Sequence, residues 1–83
     1  GCFAIFPNPT SYELRLDLKQ LIGGAADVQI FNEMGKNMLT TRINEINSES
    51  SRLDVSTYPS GIYIISIQIE GKKPLSQCFV ITD

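Results

Sequence analysis

From Tyr12 to Leu18 apolar and polar residues alternate without a fault, with Tyr12, Leu14, Leu16 and Leu18 on one side and Glu13, Arg15 and Asp17 on the other. A period of two sends successive side chains to opposite faces, so this stretch predicts a strand with one face in a core and one in water. The same rule makes Tyr63, Ile65, Ile67 and Ile69 inward, with Ser66, Gln68 and Glu70 outward. Ile62 and Ile64 break that alternation, and the start of this strand is expected to be covered on both faces. Shorter apolar segments predict further strands at Cys2 to Phe6, Ala26 to Asn32, Asn37 to Ile43, Arg52 to Val55 and Leu75 to Ile81. One short helix candidate, Leu18 to Ile22, is stopped by Gly23 and Gly24.

Between the strands lie residues that break regular structure for different reasons. Proline fixes φ and has no N–H to give a ladder, so Pro7-Asn8-Pro9 ends the first strand. Asn32-Glu33-Met34-Gly35 reads as a hairpin turn with Gly35 left-handed, and Gly71-Lys72-Lys73-Pro74 closes the last hairpin. Asn44 to Ser51 is a polar loop. Short strands separated by turns at this spacing point to an all-β antiparallel sandwich of about seven strands, in a single domain over residues 1–83.

Charge and composition narrow the function. Seven Lys and Arg stand against nine Asp and Glu, a net charge of −2 with no clustered basic stretch, which argues against nucleic acid as a partner. No apolar run approaches the ~20 residues of a spanning helix, and no signal peptide opens the chain, so any export signal is expected outside these residues. Histidine is absent, which removes the commonest general base and the commonest metal ligand. The acidic residues are scattered along outward strand positions rather than converging, Gly23-Gly24 has no phosphate-binding context, and the 44–51 loop lacks the Asp spacing of a strong Ca²⁺ site. The chain is read as a non-enzyme with no cofactor and no metal. Cys2 and Cys78 fall in the first and last strands, and the preferred reading leaves them as two unpaired thiols.

Four stretches together resemble a known family. "FAIFPNPTS" (Phe3 to Ser11) is similar to its opening strand and PNPT signature, and "VQIFNEMGKNM" (Val28 to Met38) to its alternating strand, turn and Gly-Lys. "SRLDVSTYPSGIYIISI" (Ser51 to Ile67) is similar to its L-D-[LV]-S element and P-x-G-x-Y strand, and "GKKPLSQCFVI" (Gly71 to Ile81) to its closing hairpin. The order, spacing and total length are those of the type A C-terminal sorting domain of the type IX secretion system of Bacteroidota. The chain departs from the family pattern at Tyr12, where Gly is frequent, and at Ile81-Thr82-Asp83, where a basic residue usually closes the chain.

The resemblance implies an immunoglobulin-like sandwich and a role as an address rather than a catalyst. It implies an N-terminal cargo domain, passage through the periplasm, engagement of the type IX outer-membrane translocon, and removal by a surface sortase at the cell surface. The motif residues it marks are Pro7, Asn8, Pro9, Thr10, Gly35, Lys36, Pro59, Gly61, Tyr63, Gly71, Lys72 and Lys73. For most of these a purely structural role competes: rigid turns at Pro7 to Thr10 and Pro59, a left-handed backbone at Gly35, close strand approach or a bulge at Gly61, and core packing with a bonded hydroxyl at Tyr63. An exposed sheet edge is a second candidate surface, for the translocon or for self-association. The rival reading is an accessory immunoglobulin-like spacer or carbohydrate-binding module of a secreted enzyme, for which Tyr58 and Phe6 are the exposed aromatic candidates.

Overall fold

The structure is a computed structural model, and it describes residues 4–6, 13–17, 24–45 and 52–82. The strand positions expected at Cys2, Phe3, Tyr12 and Leu18, the PNPT signature at 7–10, the helix candidate at 18–22 and most of the 44–51 loop lie outside the described residues.

Alternation produces strands where the sequence pattern places them: β1 (Ala4–Phe6), β2 (Glu13–Asp17), β3 (Ala26–Asn32), β4 (Asn37–Ile43), β5 (Arg52–Asp54), β6 (Gly61–Ile69) and β7 (Leu75–Ile81). They form two antiparallel sheets, one of three strands in the order β1-β2-β5 and one of four in the order β4-β3-β6-β7. The chain crosses between the sheets after β2, after β4 and again after β5, which is the connectivity of an immunoglobulin-like sandwich with β4 beside β3.

Each sheet turns one face inward. Leu14 and Leu16 of β2 meet Val28 and Ile30 of β3, Ile65 and Ile67 of β6, and Phe79 of β7, in a single buried cluster that also takes in Val55. Each of these side chains contributes about 1.5–3 kcal/mol by leaving water, and this is what holds the two sheets together. Tyr63, Ile65, Ile67 and Ile69 are all buried, as their spacing predicts.

Ile62 and Ile64 are not covered on both faces. They are 49% and 38% exposed, on the outer face of the four-stranded sheet, opposite Val80 and Cys78 of β7. A sheet in a two-layer sandwich has only one core side, so apolar residues between the inward positions face out whatever their type. Their β-branched shape suits an extended strand even there.

Candidate functional site

At one end of the sandwich the β3–β4 turn stands beside the loop that enters β6, because Asn32 pairs with Tyr63 across β3 and β6. The turn is built by Asn32. Its carbonyl accepts from the Gly35 N–H at 2.9 Å, and its side-chain Oδ1 accepts from the N–H groups of Met34 and Lys36, both at 2.9 Å. Neither Glu33 nor Met34 has a positive φ, so the turn is type I, and Gly35 follows it at φ +83°. Here Gly35 supplies the left-handed backbone its sequence context calls for. Lys36 is held by its backbone and carries an exposed side chain, and Met34 at the tip is 91% exposed.

The neighbouring loop is held by two tyrosines. Tyr63 is only 4% exposed, and its hydroxyl donates to the Pro59 carbonyl at 2.6 Å. This is a tyrosine corner: a Tyr at the start of a strand whose hydroxyl bonds backbone a few residues upstream. Its ring lies between those of Tyr58 and Phe79, with centroids 5.8 Å and 5.7 Å away. Tyr58 donates to the carbonyl of Met38 at 3.4 Å. Met38 is the extra residue of a bulge, since Ile30 pairs with Leu39 while Phe31 pairs with Asn37. Tyr58 is therefore a half-buried structural ring and not the exposed aromatic expected for a sugar platform.

Gly61 forms no bulge, since its pairing with Ile81 continues the β6–β7 register, and a methyl added there would meet Glu33 Oε1 at 3.6 Å and the Tyr63 ring at 3.9 Å, ordinary contact distances. What favours glycine here is the backbone, at φ +156°, which other residues rarely adopt. Pro59, Gly61 and Ile62 line one wall of a shallow groove, and Asn32, Glu33 and Met34 line the other.

Gly71, Lys72 and Lys73 lie at the opposite end, after Ile69, which pairs with Ala26. Eight residue steps along β6 separate the two ends, about 26 Å of extended chain. The Lys72 N–H donates to the Ile69 carbonyl at 2.9 Å with Gly71 at φ +79°, a type II turn. The Gln68 amide donates to the carbonyls of Ile69 and Lys72 and ties the same turn from the outer face. Both lysine side chains are exposed. The structure thus brings Gly35, Lys36, Pro59, Gly61 and Tyr63 together and separates them from the basic turn. The Asn32 cap and the Pro59 carbonyl carry no distinctive sequence signal beyond an Asn three residues before Gly and a Tyr four residues after Pro.

Titration is perturbed at two groups beside these loops. Hydrogen bonds from the Ser56 side chain and backbone hold the Asp54 carboxyl below its usual 3.8, and the Ser56 N–H reaches Oδ1 at 2.9 Å. Burial, and then the Asp54 charge, raise the Tyr58 hydroxyl above 10.0. Asp54 and Ser56 lie with Glu13 and Arg52 along a shallow surface depression, and among the described residues no three Cys, Asp or Glu side chains gather as metal ligands. Cys78 is a free, exposed thiol on β7.

The described motif residues thus stand on turns at the two ends of the sandwich. The family model for the secretion system C-terminal sorting domain matches residues 4–82 of the chain. The chain belongs to this family. As a type IX C-terminal sorting domain it is a sorting signal, of a non-catalytic kind, that works with the type IX secretion machinery toward export to the surface or the medium. A search of curated proteins found no match.

Proposed function

We propose that this sorting domain is read, folded, by the type IX outer-membrane translocon, and that the contact surface is the sandwich end carrying Gly35, Lys36, Pro59 and Gly61. The cargo lies N-terminal to it and passes through the periplasm, and a surface sortase then removes the domain. The observation that supports the reading is the convergence on one groove of residues 59–61 and residues 32–34, the latter belonging to the turn that continues into Gly35 and Lys36. These segments are separate in sequence, and the pairing of β3 with β6 brings them to the two walls of the groove. Both have backbones fixed by hydrogen bonds, so the surface is preorganised and little ordering cost is left for binding.

The exposed basic turn at Lys72 and Lys73 is a second contact in this reading, electrostatic and at the far end. The test is to place the 83 residues behind an unrelated periplasmic protein in a type IX host and to fractionate the cells. Cargo at the surface or in the medium supports the address, and cargo that stays in the periplasm with the domain folded rejects it.

A further inference from the structure

Tyr63 is the one polar side chain on an inward row that continues Ile65, Ile67 and Ile69, and phenylalanine would fill its place in the ring column equally well. Packing therefore does not account for its hydroxyl. Among the described residues that hydroxyl has one hydrogen-bond partner, the Pro59 carbonyl. Proline has no N–H, so this carbonyl is the only backbone hydrogen-bonding group Pro59 has. Upstream, the loop is already anchored by Tyr58 N–H to the Val55 carbonyl at 3.1 Å, and by the Tyr58 hydroxyl to Met38. Downstream, the β6 ladder begins at Gly61. Between these anchors Pro59 and Ser60 are exposed and form part of the groove wall.

We infer that Tyr63 is a positioning residue for recognition: its hydroxyl sets the Pro59–Gly61 wall against the Asn32–Met34 wall, and the type IX machinery reads that spacing. The inference rests on the proposed contact surface and adds the group that fixes its shape. It assigns the hydroxyl a task distinct from that of the ring, which belongs to the core.

The Tyr63→Phe variant separates the two tasks, because it keeps the ring and removes only the donor. Ile67→Val, further along the same strand and away from the groove, serves as a control with a stability loss of similar size. Two readouts are taken on each: amide exchange of residues 56–62 in the 83-residue chain, and type IX-dependent export of a cargo fusion. Exchange in the loop of Tyr63→Phe should rise about 2- to 10-fold, the equilibrium weight of one hydrogen bond, and export should fall with it. Ile67→Val should change neither. Unchanged loop exchange in Tyr63→Phe, or raised exchange with export at the wild-type level, overturns the inference and leaves the sorting reading standing. An equal loss of export in Ile67→Val also overturns it, because stability alone would then explain the effect. Failure of the unmodified fusion to depend on the translocon would instead sink the sorting reading itself, and this inference with it.

Discussion

Gly35 shows how one residue is chosen by backbone alone. Its φ is +83° and nothing stands within 4 Å of an added methyl, so Gly35→Ala costs only the left-handed strain, about 1–2 kcal/mol, measurable by chemical denaturation. Gly35→Asn should cost less, since asparagine tolerates that region better. Asp54 makes a pH-dependent case. Its carboxyl is held below 3.8 in the folded state, so its stabilising contribution is present above that value and is lost as pH falls through the lowered one. Ser56→Ala removes the larger of the two hydrogen-bond causes. The Asp54 titration followed by NMR should then move up toward 3.8, and an unmoved titration would mean that the backbone N–H alone sets it. At this scale the sequence was legible for Gly35, because a glycine after Asn-x-x has few other uses. The Tyr63 hydroxyl bond was half legible: burial with a bonded hydroxyl followed from the inward spacing, but the identity of its acceptor depends on how the loop folds back, which no local pattern encodes.

Strands were the most readable elements, and β6 shows where reading them stopped. Alternation identifies the inward row from Tyr63 to Ile69, whereas the apolar type of Ile62 and Ile64 predicts a cover on the other face that the structure does not have. Periodicity assigns a residue to a face, but it does not say whether a second layer covers that face, and residue type misleads when a β-branched side chain is used for strand propensity. The two faces should respond differently to mutation. Ile65→Ala should cost about 2–5 kcal/mol, as a fully buried side chain, while Ile64→Thr on the outer face should stay within about 0.5 kcal/mol. A thermal or denaturant melt distinguishes them, and a large loss for Ile64→Thr would mean that this face is covered. The β4 bulge at Met38 was invisible in sequence, because one extra residue in a strand leaves no break in composition.

As a whole molecule the domain is a two-sheet scaffold with motif turns at both ends, and the ends can be tested separately. The Lys72/Lys73 turn is built from Gly71, the Ile69 carbonyl and the Gln68 amide, with no part for the lysine side chains. Replacing both lysines with Glu should therefore leave the melting transition within about 0.5 kcal/mol of wild type and lower export, if the far end takes part in recognition. Export at the wild-type level by this folded variant would confine recognition to the groove end. The family was legible from four ordered motifs, and the match over residues 4–82 bears that out. The spatial grouping of those motifs was not legible, because it depends on the pairing of β3 with β6 across 31 residues of chain from Asn32 to Tyr63.

The central claim is that this folded sandwich is an address read by the type IX translocon. The most direct measurement is the location of a fluorescent cargo bearing an export signal and ending in these 83 residues, compared between hosts with an intact and a disabled translocon. Fluorescence at the surface or in the medium of the first host only, with periplasmic retention in the second, is the expected result. Periplasmic retention in both hosts, with the sandwich shown to be folded, would contradict the claim.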